Sequence, residues 1–296
     1  LNLQSYIEEK KAAVEKALEQ FLPPATTYPP MIHEAIRYSV FAGGKRLRPL
    51  LVIAAAEILG KQMSAVMPTA CALELIHTFS LIHDDLPSID NGDYRRGKPT
   101  CHRVYGEAIA MLAGDALLNY AFELMVRNRE YPGIKPEAVL LVIEEVSKAI
   151  GTQGMLGGEV MDILSEGKTG DKELVEYIHS YKTATFISVS LRAGAILADG
   201  GAQEIQGLSD YGQYLGLAFQ IRDDILNVEG DEKKLGKPVG TDAGRKKITY
   251  PAIFGLEYAR IKVQELSQQA KQCLKIFGPR GEILSQLADY LAGREV

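Results

Sequence analysis

The chain has 296 residues, 46% hydrophobic and 24% charged, with a formal net charge of −5. That is the balance of an ordinary soluble globular protein, and it gives no support to nucleic-acid binding, so any basic site must be local. Cys71, Cys101 and Cys273 have no spacing suited to zinc or a redox pair, so reduced thiols in a cytoplasmic protein are expected. No apolar run approaches the length of a membrane span, and Glu8, Glu9, Lys10 and Lys11 give a charged rather than signal-like start. Stable membrane insertion is not expected.

Apolar residues at Leu3, Tyr6, Ile7, Val14, Ala17, Leu18 and Phe21 keep a 3.6 period and predict a helix over 3–21, which Pro23-Pro24 ends. The same spacing predicts helices over 31–42, 49–60 and 66–84. Between the first two of these lies Gly43-Gly44-Lys45-Arg46-Leu47-Arg48-Pro49. Its glycines end one helix and its proline suits the first position of the next. Lys45 and Arg48 then sit beside a helix N-terminus, where anions are favoured. The helix over 66–84 runs into His83-Asp84-Asp85-Leu86-Pro87-Ser88-Ile89-Asp90, with Arg95-Arg96-Gly97-Lys98 close behind. Further helices are predicted over 105–127, 136–153, 171–199, 203–227, 249–275 and 280–292. The polar, glycine-punctuated stretch 227–247 predicts a loop, of a length more often functional than idle. Alternating strand patterns are nearly absent, and stretches such as 50–59 and 186–197 are apolar all round, as in the middle of a large bundle. No proline-, glycine- or serine-rich linker divides the chain. The expectation is one all-α domain over 1–296, a single bundle of about ten or more helices.

Three carboxylates in the seven residues from Asp84 to Asp90, at the end of an apolar helix, repel one another and are costly to desolvate. A hard divalent cation resolves the conflict, because Mg²⁺ prefers oxygen ligands and is often shared with substrate phosphates. Arg95 and Arg96 then read as a phosphate clamp, since guanidinium forks match phosphate oxygens. Asp84 and Asp90 are six residues apart, about 120° out of register on an ideal helix. Pro87 is expected to kink the chain there by its collision with the carbonyl of His83. A second acidic pair stands at Asp223-Asp224, with Asn227 one turn beyond. Alone, such a pair is more often a cap or a solvated face; with the first cluster it points to a site that grips diphosphate through metal. His77 lies two turns before Asp84 on nearly the same face and joins the candidates. His33, His83, His102 and His179 receive no role.

Taken together, Gly43 to Pro49, His77-Thr78-Phe79-Ser80-Leu81-Ile82-His83-Asp84-Asp85, Arg95 to Thr100, Tyr181-Lys182-Thr183, Phe219-Gln220-Ile221-Arg222-Asp223-Asp224 and Lys234-Leu235-Gly236-Lys237 resemble the trans-prenyltransferase family. The resemblance runs from about Ala35 to Gly255 in the family's order. The form of the first acidic motif is similar to that of bacterial farnesyl and plant-type geranylgeranyl diphosphate synthases. The resemblance implies a homodimer of helical bundles, each around a deep central cavity. It implies metal binding by Asp84, Asp85, Asp90 and Asp223, with three Mg²⁺ bridging an allylic diphosphate. Arg95, Lys182 and Lys237 would hold that diphosphate; Lys45, Arg48, His77 and Arg96 would bind isopentenyl diphosphate; Thr183 and Gln220 would lie against the reacting carbons. The loop over 227–247 would act as a lid.

Product length in the family follows what blocks the cavity below Asp84. Phe79, five positions before it, is the expected floor, with Ser80 beside it, and a fifteen-carbon farnesyl product is expected. A twenty-carbon product remains the alternative, and a non-catalytic partner subunit or a class I terpene cyclase are the other readings. The retained carboxylates argue against the first of these. A cyclase would leave Lys45, Arg48, His77 and Arg96 without purpose. Three departures from the family pattern stand out. Asn227 ends the second motif in place of aspartate, Glu159 stands where glutamine is commoner, and Ala184 replaces a glycine, which is expected to tighten its helix.

Overall fold

Proline and glycine set most helix ends, and burial decides which helices form the interior. The computed structural model describes residues 2–168, 170–229 and 247–294. In chain order these form α1 (Leu3–Phe21), α2 (Pro30–Val40), α3 (Leu47–Ile58), α4 (Met63–Asp84), the strands β1 (Tyr94–Arg95) and β2 (Lys98–Pro99), α5 (Cys101–Tyr105) and α6 (Glu107–Val126). There follow α7 (Pro136–Ile150), α8 (Met155–Ser165), α9 (Lys172–Ile178), a π-helical turn (His179–Ala184), α10 (Thr185–Leu197), α11 (Ala202–Glu229), α12 (Tyr250–Phe254), α13 (Leu256–Cys273) and α14 (Glu282–Gly293), with 3₁₀ segments at Arg127–Glu130 and Leu274–Gly281. The fold is all-α, as the spacing predicts.

Several expected boundaries change. The helix expected over 105–127 is broken at Gly106, and the one expected over 249–275 at Gly255. Both glycines have positive φ, 82° and 84°, where an L side chain is strained. The helix α8 was not expected at all. The single helix expected over 171–199 is interrupted by the π turn, so Ala184 lies in a widened rather than a tightened stretch. Nor does Pro87 kink a continuing helix: α4 ends at Asp84. The following turns are closed by Leu86 N–H to His83 O at 3.0 Å and Asp90 N–H to Asp84 O at 2.8 Å. That last bond brings Asp90 back beside Asp84. The two short strands pair antiparallel, with Arg96-Gly97 as a two-residue turn. Both turn residues have positive φ, 54° and 75°, which is what a tight hairpin of this hand requires.

The interior is built from α3, α4 and α10. Every residue of α3 from Pro49 to Ala56 is buried, as is nearly all of α10. Around them α6 packs on α4, and α11 packs on α10 and α13. Pro68, inside α4, lacks the N–H that a helix needs there. Asn128, fully buried, bridges the adjoining position of the helix: its Oδ1 accepts from Thr69 N–H at 3.0 Å and from Thr69 Oγ1 at 2.6 Å, and its Nδ2 donates to Ala65 O. Freed backbone groups inside the bundle thus keep partners. A second buried polar group ties the loop after α2 to the core: Arg46, at φ 51°, pairs with Glu15 and Glu74, each at 2.8 Å.

The expectation that no apolar run reaches membrane-span length is corrected. Both α4 and the stretch Glu107–Glu130 are long and apolar enough by composition. In α4, 83% of that stretch is buried, so its apolar side chains serve the helix bundle. In α6 it is only 39% buried, leaving Met111 and Leu112 exposed.

Candidate active site

One hollow of about 370 Å³ gathers most of the expected residues. Arg48 from α3, His77, Phe79, Ser80 and Asp84 from α4, Arg95 and Arg96 from the hairpin, Lys182 and Thr183 from the π turn, and Gln220 and Asp223 from α11 all line it. α8, absent from the sequence expectation, adds Met155, Leu156 and Glu159. A smaller hollow of about 160 Å³ shares Lys182, Gln220 and Asp223 and adds Asp162, Asp224 and Lys247.

The π turn and α11 meet because Gly216 has no side chain. A Cβ there would lie 2.5 Å from the Ala184 Cα. One helical turn on, Gln220 Oε1 accepts from Thr183 Oγ1 at 2.8 Å. Gln220 Nε2 donates to Asp224 Oδ1 at 3.2 Å. Asp224 also accepts from Tyr250 N–H at 2.8 Å and lies 3.1 Å from His179 Nε2. Of the two adjacent aspartates, Asp224 is buried and anchors α12 and the π turn, while Asp223 faces the hollow. Extra residues in a π turn re-aim side chains, and such turns cluster at functional sites; here the turn carries Lys182 and Thr183.

The anionic wall is crowded. Lys182 Nζ lies 2.6 Å from Glu159 Oε2 and 2.7 Å from Asp162 Oδ2. Lys247 Nζ bridges Asp162 at 3.3 Å and Asp90 at 3.5 Å. Burial, reinforced by the Glu159 and Asp90 carboxylates, pushes Asp84 up to about 7 against the pull of Lys182 and Arg95. Burial alone would lower Lys182, but Asp162, Glu159 and Asp84 hold it well above the ordinary lysine value. Asp85 parts company with Asp84. It lines a separate crevice with Tyr38, Arg95 and Arg96, and both its oxygens accept from the Arg95 fork, Nε and Nη2 at 2.7 Å each. Asp85 therefore braces the Arg95 guanidinium.

The cationic wall is short of anions. Burial, aided by Arg96, lowers Arg48 to about 10, and its guanidinium stacks 4.7 Å over the Phe186 ring. Among the described residues no hydrogen-bond partner stands at its buried Nε. Burial, then Arg48, Arg96 and Arg95, hold His77 well below 6.5, as a neutral imidazole. Arg96 Nη1 reaches Gly43 O, so the hairpin lies on the loop that delivers Lys45 and Arg48. Lys45 itself is exposed and lines a neighbouring groove with Leu50, Tyr290 and Leu291.

Carboxylates on α4 and α11 facing one hollow, with Lys and Arg between, suit a hard divalent cation that also takes phosphate oxygens. Among the described residues no three metal-ligating groups stand close enough to form a finished site. The donors are divided between two walls. Four site residues escaped the sequence reading as site members: Asp162 and Lys247, Glu159 beyond its note as a departure, and Arg294, which pairs with Asp223 and stacks 4.0 Å over Phe219. Asp162, three residues after Glu159, carried a findable signal once 155–165 is seen as a helix. Lys237 and most of the loop over 227–247 lie outside the described residues. Asn227 is buried on α11.

Residues 29–283 match the sequence pattern described as polyprenyl synthetase. The chain is 44% identical to a farnesyl diphosphate synthase of Geobacillus stearothermophilus, over 100% of this chain and 99% of that one. It is 46% identical to the large subunit 1 of a heterodimeric chloroplastic geranylgeranyl pyrophosphate synthase of Arabidopsis thaliana, over 99% of this chain and 80% of that one. A geranyltransferase from Helicobacter pylori, complexed with magnesium and isoprenyl diphosphate, superposes with a TM-score of 0.85 at 31% identity, covering 98% of this chain and 96% of that one.

The neutral His77 has a consequence for stability. A histidine free to protonate near pH 6.5 when unfolded, but held neutral when folded, contributes stability above that pH that is lost as pH falls. The thermal midpoint of the wild type should therefore drop between pH 7.5 and pH 5.5 by more than that of His77→Gln, read by circular dichroism; equal drops would contradict the burial of a neutral ring.

Proposed function

We propose that this chain, which belongs to the polyprenyl synthetase family and is a trans-prenyltransferase, condenses isopentenyl diphosphate with dimethylallyl and then geranyl diphosphate to give (2E,6E)-farnesyl diphosphate. The observation that carries the reading is the convergence of Asp84, Asp223, Lys182, Arg48 and His77 on one hollow. Asp84, Asp90 and Asp223 would hold Mg²⁺, three ions in all. When bound, these ions supply the positive charge that stabilises the departing diphosphate.

Arg95, fixed by Asp85, and Lys182 hold the allylic diphosphate, joined by Lys237 and Lys247. Arg48, His77 and Arg96, with Lys45 alongside, hold isopentenyl diphosphate; a neutral His77 donates one ring N–H without adding charge. The allylic carbon–oxygen bond breaks with its electron pair leaving on the diphosphate. The Thr183 hydroxyl and the Gln220 amide turn oxygen dipoles toward the carbon that becomes cationic, which favours the charge as it develops. The double bond of isopentenyl diphosphate then forms the new carbon–carbon bond, and a proton leaves to the released diphosphate. Apolar walls at Phe79, Leu81, Met155 and Phe219 keep out water that would capture the cation.

The floor supports the fifteen-carbon product. Phe79 is buried, and its ring meets His83 edge-on at 4.7 Å. His83 Nε2 is 3.1 Å from Met111 O on α6, and Gly114 leaves the space, since a Cβ there would lie 2.3 Å from that nitrogen. The Phe79 ring is thus held through His83, which α6 in turn holds. The geranylgeranyl reading keeps its support from relatives of that activity. The retained carboxylates weigh against a non-catalytic subunit. We further propose one catalytic domain over the whole chain and a homodimer, for which the exposed Met111, Leu112, Leu140 and Leu141 on α6 and α7 offer an apolar face. A cytoplasmic location fits three free cysteines.

Incubation with isopentenyl and dimethylallyl diphosphates plus Mg²⁺, with chromatographic sizing, should give a mainly fifteen-carbon product; no condensation would sink the reading. Phe79→Ala should lengthen the product to twenty carbons or more while total condensation stays within about tenfold of wild type. An unchanged product length would show that the floor lies elsewhere.

A further inference from the structure

Glu159 holds a place in the wall that neither the diphosphate clamp nor the carboxylates across the hollow account for. It follows Gly158, the point at which α8 meets the π turn: a Cβ on Gly158 would lie 2.3 Å from the Lys182 backbone nitrogen and 2.8 Å from its Cα. That approach sets Glu159 Oε2 2.6 Å from Lys182 Nζ, while Asp162, most of a turn further along α8, stands at 2.7 Å from the same ammonium. The Glu159 side chain retains 15% exposure and shares the hollow with Asp84 and Arg95. One ammonium therefore faces two carboxylates, where one would neutralise it. Asp162 has a second cation in Lys247 at 3.3 Å, so the Lys182–Asp162 contact survives without Glu159.

Resting on the diphosphate reading above, we propose that Glu159 is a restraining counter-ion on Lys182 that makes the site discriminate diphosphate accompanied by divalent cations from diphosphate alone. A bare diphosphate brings negative charge to a wall that already carries Glu159, Asp162 and Asp84, and it competes with Glu159 for the ammonium. A diphosphate accompanied by cations brings no such excess, and Glu159 then faces positive charge. The side chain disfavours one form of the ligand and accepts the other through its charge, which is specificity by repulsion. Glutamine of the same length keeps an acceptor for Lys182 and removes only that charge. Glu159 thus acts through Lys182 as a positioning residue, leaving the bond-making steps untouched.

The test is calorimetry of the intact chain with inorganic pyrophosphate, in EDTA and in excess Mg²⁺, for wild type and Glu159→Gln. In EDTA the variant should bind about tenfold more tightly, the lower end for a close, desolvated charge. With Mg²⁺ the two proteins should differ far less, so the ratio of the two dissociation constants falls. An unchanged ratio, or weaker binding by the variant in EDTA, overturns the proposal; the second result would mean that Glu159 serves to hold Lys182 ready. In a Lys182→Gln background the same change should gain less, and a full gain there overturns the role assigned to Lys182. Thermal midpoints within the wild-type range confirm that each variant is folded. Absence of condensation by the wild type would sink the reaction proposed above and leave this binding comparison intact.

Discussion

Charges of one sign held together away from water need an opposite charge, and the protein meets that need only in part. Some pairs are closed internally: Asp85 takes the Arg95 fork, Glu74 takes Arg46, and Asp223 meets Arg294. What remains is uneven. Around His77 and Arg48 there is cationic charge with a buried Nε and no partner among the described residues. Around Asp84 there are four acidic groups, Asp84, Asp90, Glu159 and Asp162, held by Lys182 and Lys247. Such an arrangement is costly when empty and becomes favourable when an anion and cations enter together.

Holding the two walls apart and aligned falls to the packing beneath them. α3, α4 and α10 are buried on nearly all sides, so their ends cannot drift without opening the core. Each wall is then fixed at close contacts between backbones. Gly216 lets α11 reach the π turn and bring Gln220 to Thr183; Gly158 lets α8 reach the same turn and bring Glu159 to Lys182. The loop from Asp84 to Asp90, closed by a backbone hydrogen bond of 2.8 Å, does for the first acidic motif what helix geometry cannot. Position, more than residue type, separates neighbours: Asp84 faces the hollow and Asp85 braces an arginine, Asp223 faces it and Asp224 anchors two elements.

That distinction marks the limit of what the amino-acid order reveals. Helical spacing gave α1 its observed bounds and ended α4 at Asp84, because apolar period and proline act locally. The motifs that line the hollow were legible for the same reason: each is a short run of unusual composition. α8 was not legible, since Gly157 and Gly158 weaken the helical signal and its stability comes from packing on the π turn. The π turn itself was invisible, because it departs from an apolar helical pattern only through contacts with α11. Lys247 and Arg294 carry no local oddity. They join the site by long-range pairing, Arg294 across 71 residues to Asp223, and only folding reveals them.

The most direct measurement is a crystal structure of the protein with a non-reactive allylic diphosphate analogue and Mn²⁺, whose anomalous scattering locates each ion. Ions should lie between the Asp84–Asp90 wall and Asp223, bridged by the same diphosphate, with Arg294 no longer on Asp223. A diphosphate held by basic residues alone, with no ion on either aspartate wall, would contradict it.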